Sequence, residues 1–194
     1  RRSSDLGVAA AQPAAAPQKR DEAVSRYQKG VEFFQEGDFQ ASLIEFKRSY
    51  ELVPNFNVLF NIGQVYYQLQ DYANALKTLE QYLEDGAKRI PATRRAEVEK
   101  DVEKLRARVA QVTIKVNVPG AEVLIDDVVV GTSPLSGPIT VSAGRRRFAA
   151  QKDGAGARTT EDIAGNDQRE IVLELAQGVS AVGGEGGGDK GGGA

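Results

Sequence analysis

Three stretches carry residue types that could do chemistry. Ser133 sits between Thr132 and Pro134 and is not framed by a Gly-x-Ser-x-Gly elbow. The chain holds no histidine and no cysteine, so nothing in it offers the usual base for a serine, and no thiolate is available. Asp126-Asp127 invites a cation, yet an oxygen cage takes about six to eight oxygens, usually from several acidic residues in one loop. Two adjacent aspartates between apolar runs are ordinary turn residues. Arg145-Arg146-Arg147 offers positive charge, but on a strand alternation sends Arg146 to the face opposite its neighbours. Nucleic-acid binding needs a larger coherent patch with interleaved aromatics, and charge on a strand more simply guards a sheet edge. With a net charge of −2, no global field draws the chain to nucleic acid or membrane. The expectation is a non-enzymatic chain without cofactor, metal or nucleic acid.

The elements around these stretches are written with a period. Gly63 follows Gly30, Tyr72 follows Phe39, Ala75 follows Ser42 and Leu79 follows Phe46, each 33 positions later. A fixed period of roughly 20–50 residues marks stacked repeats, and about 34 is that of a helix–turn–helix repeat. Glycine inside a helix costs roughly 1 kcal/mol against alanine, a cost met where a second helix must come close. Ser42 and Ala75 are then the small partners, with Phe33, Tyr66, Phe46 and Leu79 around them. The spacing predicts helices at about Asp21–Glu36, Phe39–Leu52, Asn57–Leu69 and Tyr72–Glu84, with Pro54 ending the first pair. A fifth helix is expected from about Pro91 to Ala110, with Val98, Val102, Leu105 and Val109 on one face and charges on the other.

These matches make residues 21–111 resemble a tetratricopeptide-repeat domain of two repeats plus a capping helix. Ser42 and Ser49 replace the family's small alanines, and Arg26 its frequent tryptophan. The resemblance implies a concave face that binds an extended peptide or partner helix. Matched by repeat position, that face carries Tyr27, Val31, Phe34 and Gln35, then Phe60, Asn61, Gln64, Tyr67 and Gln68. Asn61 matches the family asparagine whose amide grips a ligand backbone. The chaperone-type carboxylate clamp is not expected, because Tyr27 and Val31 occupy the places of its first basic residues.

At Gln111 the period falls from 3.6 to 2: Val112, Ile114, Val116 and Val118 alternate with Thr113, Lys115 and Asn117. Further strands are predicted at Glu122–Asp126, Val128–Gly131, Pro138–Ser142, Arg146–Gln151 and Arg169–Leu175, with turns at Pro119-Gly120, Asp126-Asp127, Ser136-Gly137, Ala143-Gly144 and Asp153-Gly154. Short strands with no helix between them indicate a small antiparallel sandwich or barrel. Val118-Pro119-Gly120-Ala121-Glu122-Val123, Ile125-Asp126, Gly131-Thr132-Ser133-Pro134-Leu135 and Gly144 make residues 112–176 similar to a PEGA domain. That family is a small β-module of prokaryotic envelope and surface proteins. The signature glutamate is missing here, and Asp127 replaces a hairpin glycine.

The fold class expected is therefore α+β in two domains, helical hairpins with a solvating helix and then a small antiparallel β-sandwich. Residues 1–20, rich in Ala, Pro and Gln, read as a disordered leader of the kind that follows a secretory signal. Residues 177–194 read as a flexible Gly-rich tail. Arg1 in place of methionine suggests removal of an N-terminal piece. No run approaches about 18 apolar residues, so membrane insertion by this chain is not expected, and any anchor would lie outside it. The function expected is a protein- or peptide-binding adaptor of the bacterial cell envelope, periplasmic or exported, with the cytoplasm as the alternative compartment. The competing reading is a purely structural envelope component with a closed groove, in which Asn61 pairs with its own scaffold and Phe34 and Tyr67 pack on the last helix.

Overall fold

The computed structural model describes residues 17–176. The leader residues 1–16 and the tail 177–194 lie outside the described residues. Five helices come first: α1 (Pro17–Glu36), α2 (Phe39–Leu52), α3 (Phe56–Gln68), α4 (Tyr72–Gly86) and α5 (Ala92–Arg106). Seven strands follow: β1 (Val109–Val116), β2 (Glu122–Ile125), β3 (Val128–Thr132), β4 (Ile139–Ser142), β5 (Gly144–Lys152), β6 (Ala155–Ile163) and β7 (Gln168–Leu173). The layout is α+β, with a helical repeat region and then a β region of two sheets, ordered β4-β1-β7 and β3-β2-β5-β6.

Helix ends repeat as faithfully as helix interiors. Asp38 caps α2 by accepting from the Ala41 N–H at 3.0 Å, and Asp71 caps α4 by accepting from Asn74 at 3.2 Å. α1 and α3 each end on a left-handed residue, Gly37 at φ 81° and Gln70 at φ 59°. Both endings carry the same paired bonds, Asp38 N–H to Phe33 O at 2.9 Å and Asp71 N–H to Tyr66 O at 3.0 Å among them. α1 starts at Pro17, whose missing N–H costs nothing in a first turn, so residues 17–20 are helical rather than part of the leader.

The close approaches implied by the repeat are present. A Cβ on Gly30 would lie 2.7 Å from Phe46 Cδ1, and one on Gly63 2.5 Å from Leu79 Cδ2. The Ser42 hydroxyl donates to the Gly30 carbonyl and the Ser49 hydroxyl to the Ala23 carbonyl, both at 2.8 Å. Phe46, Leu79, Tyr82, Val98, Val102 and Leu105 join one apolar cluster, so α5 adds its face to the stack against α4.

α5 stops at Arg106, four residues short of the expected end, and Val109 and Ala110 open β1 instead. The reason lies in the backbone. The Val109 carbonyl accepts from Asn166 at 2.7 Å, the Gln111 N–H donates to Asp167 at 2.9 Å, and Val109 pairs with Ser142 across the β1/β4 ladder. Strand partners and a β-branched side chain outweigh one more helical turn.

The chain divides into two compact units. The first holds the described residues up to Val112 together with 139–144 and 163–169. The second holds 113–138, 145–162 and the described residues from Glu170 onward, with Ile114, Val123, Ile125, Phe148, Ala150, Ile171 and Leu173 buried. In the second unit Asp126 and Asp127 both adopt positive φ, 49° and 66°, forming the two-residue turn between Ile125 and Val128. β6 was not expected from the sequence. It is an edge strand of Ala155-Gly156-Ala157-Arg158-Thr159-Thr160-Glu161-Asp162-Ile163 with no bulky apolar residue before its end. The turn before it, Asp153-Gly154, is the signal that marks a hairpin, and both residues have positive φ.

Candidate partner-binding face

The nine residues expected to line the concave face lie on α1 and α3, and the fold brings part of them into direct contact. The Asn61 amide donates to the Tyr27 hydroxyl at 3.1 Å, which ties α3 to α1, and to the Asn57 carbonyl at 3.4 Å. The Tyr27 ring also lies 5.4 Å from that of Phe46. Phe34 meets Phe39 edge-on at 5.4 Å and 67°, and Tyr67 meets Tyr72 at 5.9 Å and 65°. These are equivalent pairs in the two hairpins, each joining the end of one helix to the first residue of the next. Offset and edge-to-face geometries suit the ring quadrupoles. Phe34 and Tyr67 therefore rest on the following helix of their own hairpin, where the closed-groove reading had them on the last helix. Phe60 stacks with Tyr82 at 5.6 Å. Val31 packs against the apolar cluster. Tyr27, Val31, Phe34, Phe60, Asn61, Gln64 and Tyr67 are half-buried, and Gln35 and Gln68 are exposed.

Two arginines that the sequence reading left out reach these rings. The Arg94 guanidinium lies 4.9 Å from the centre of the Phe60 ring and also pairs with Glu97 at 3.2 Å. Arg108 lies 4.9 Å over Tyr72 and 5.7 Å over Tyr67. Arg108 was hidden by the overlong fifth helix: placed in that helix it reads as one more solvated charge, whereas it stands in the link between α5 and β1.

A separate hollow of about 520 Å³ opens between the α2–α3 link and the end of α4, lined by Tyr50, Pro54, Phe56, Asp85 and Arg89 among others. Arg89 stacks 4.4 Å over Phe56 and donates to the Asp85 carbonyl. Burial pushes the Tyr50 hydroxyl above its ordinary pKa, and the Asp85 carboxylate pushes the same way; a hydrogen bond from Gln81 opposes both.

The stretches that suggested chemistry are engaged in structure. Ser133 is buried, donating to the Val118 carbonyl at 2.6 Å and accepting from the Ala121 N–H at 2.9 Å. Asp126 accepts from the Arg146 guanidinium and from the Arg147 backbone N–H, both at 2.9 Å, and Asp127 pairs with the Arg147 side chain. Among the described residues no group of three or more acidic side chains is placed to hold a metal ion. No described helix is long and apolar enough to cross a membrane.

Residues 56–84 match the tetratricopeptide repeat family, which covers α3 and nearly all of α4. No curated protein matches the chain. Repeats of this family serve protein–protein interaction, and the helical hairpins agree with that coarse assignment.

Proposed function

We propose that the helical repeats bind a protein or peptide segment along the face formed by Tyr27, Val31, Phe34 and Gln35 on α1 and Phe60, Asn61, Gln64, Tyr67 and Gln68 on α3. The observation that carries this reading is a row of half-buried rings and amides that is neutral along its length. Each ring is propped by a neighbour from its own scaffold, so little order is lost on binding, and each keeps a part for a partner. The segment Val118–Leu135, with its likeness to PEGA modules, supports a setting in the bacterial cell envelope, with the β region as a docking or spacing module for the repeats. The competing reading, a structural part with a closed groove, draws on the Asn61 amide, which is spent in part on Tyr27.

The test uses two exposed positions, so that folding is preserved. Wild type and a Gln35→Arg/Gln68→Arg variant are first matched by circular dichroism and melting temperature. Both are then used to capture proteins from envelope and cytosolic fractions of the source cells. A protein retained from the envelope fraction by wild type and lost by the variant supports the adaptor reading. Equal retention by both moves binding off this face. Retention from the cytosolic fraction alone refutes the envelope setting.

A further inference from the structure

The charge pattern of the face defines one end of it. Tyr27, Val31, Phe34, Gln35, Phe60, Asn61, Gln64, Tyr67 and Gln68 are all uncharged. At the Tyr67 end stands Arg108, and its surroundings differ from those of five arginines on the helices; Arg89, which also lies over a ring, that of Phe56, donates to the Asp85 carbonyl. Arg26, Arg48, Arg94, Arg95 and Arg106 each meet a carboxylate within the 2.6–3.7 Å of their ion pairs. Arg108 meets two tyrosine rings instead and has no carboxylate partner among the described residues. The nearest candidate in sequence to those rings, Asp71, spends both carboxylate oxygens on Asn74, at 3.2 and 2.7 Å.

The geometry leaves this cation ready for an anion. A guanidinium over a ring still has its N–H donors in its own plane, and Arg108 is exposed. Those donors match the two oxygens of a carboxylate. The backbone of Arg108 is fixed as well, its N–H donating to Leu105 O and its C=O accepting from Ala143 N–H, both at 2.8 Å. The backbone is thus held and the head lies near two rings before any ligand arrives, which lowers the ordering cost of the contact.

We propose that Arg108, beside the rings of Tyr67 and Tyr72, is the anion-binding end of the partner face and takes a carboxylate side chain of the bound segment. The segment is then apolar along the Tyr27–Tyr67 row and carries an aspartate or glutamate where it passes Arg108. This inference rests on the partner-face reading and adds the chemistry of the partner to it.

The test selects ligands from a displayed library of random peptides on the full chain, keeping those that the Gln35→Arg/Gln68→Arg variant does not bind. The best binder and its Glu→Gln or Asp→Asn analogue are then titrated against wild type, Arg108→Gln and Arg108→Lys by fluorescence anisotropy. The expected binders carry an acidic residue at a fixed distance from their apolar ones. Neutralising it weakens binding to wild type about tenfold, the scale of a partly exposed charge-assisted pair, and leaves binding to Arg108→Gln unchanged. Arg108→Lys keeps part of the preference, because it retains the charge and loses the planar fork. Binders without an acidic preference, or an equal loss in wild type and Arg108→Gln, overturn this proposal and leave the face standing. A library that yields no binder sensitive to the paired Gln→Arg change overturns both.

Discussion

Where α1 crosses α2, the Phe46 ring lies against Gly30 and the Ser42 hydroxyl is bonded to the Gly30 carbonyl. At the equivalent crossing of α3 with α4, Leu79 lies against Gly63 and Ala75 brings no hydroxyl. The two hairpins reach the same close contact from different resources. α3 buries Val58, Leu59, Ile62 and Val65, while α1 buries only Ala23 and Gly30. A hairpin poor in apolar contacts gains from buried hydroxyls that find main-chain carbonyls, because each bond has one angle and one partner. The richer hairpin can rely on shape alone. One backbone plan thus tolerates either chemistry, provided that the glycine remains.

The strongest way to break this comparison is to empty the crossing. Phe46→Ala should cost about 3–5 kcal/mol and Leu79→Ala about 2–5 kcal/mol, read from urea midpoints at constant m-value. If α1–α2 were a loosely attached first hairpin, Phe46→Ala would lower m and broaden the transition in place of shifting it. Next in size is Ser42→Ala, which turns the first crossing into a copy of the second. It should lose about 0.5–1.5 kcal/mol, and no loss would show that the hydroxyl is an accessory to packing.

The helix ends sharpen the comparison from the other side. Gln70 holds a left-handed conformation that Gly37 adopts at the same place in the first hairpin, and a side chain there costs roughly 1–2 kcal/mol. Gln70→Gly should therefore stabilise by about 0.5–1 kcal/mol after the added freedom of the unfolded chain is counted. A destabilised variant would mean that the Gln70 side chain contributes something its backbone does not reveal. The smallest effect concerns Tyr50, whose counterpart in the second hairpin is Leu83. Its folded pKa is raised, first by burial and then by Asp85. The stability it contributes is thus complete below its unfolded pKa of about 10 and is lost as pH rises through the higher folded value. Melting temperatures of Tyr50→Phe should fall less steeply than those of wild type above pH about 10; parallel curves would remove the linkage.

The sequence made the helical half legible because its signals are redundant. Gly30 and Gly63, Ser42 and Ala75, Asp38 and Asp71 each appear twice at one spacing, so a single misreading is corrected by its copy. The β half has no such copy. β6 escaped because its residues are small or polar, as an edge strand permits, and strand pairing rather than propensity holds it. The start of β1 was misplaced because Val98, Val102, Leu105 and Val109 continue a helical spacing, and the partners that claim the Val109 and Gln111 backbones, Asn166 and Asp167, lie more than fifty residues away in the chain. The same slip concealed Arg108. The places of Tyr27 to Gln68 on α1 and α3 were readable by repeat position, but the Asn61–Tyr27 bond joins two helices and has no trace in spacing along either.

That distance between β1 and its partners also orders events in time. The ribosome delivers α1 to α5 and the first residues of β1 well before it delivers Ala143, Asn166 and Asp167, whose backbones pair with Arg108, Val109 and Gln111. At about 5–20 residues per second, the Val109 carbonyl waits roughly three to eleven seconds for Asn166 to be synthesised. Until Ile139–Ser142 follow, the start of β1 has no neighbouring strand to pair with. The helical repeats thus precede in synthesis the residues whose backbones complete the start of β1.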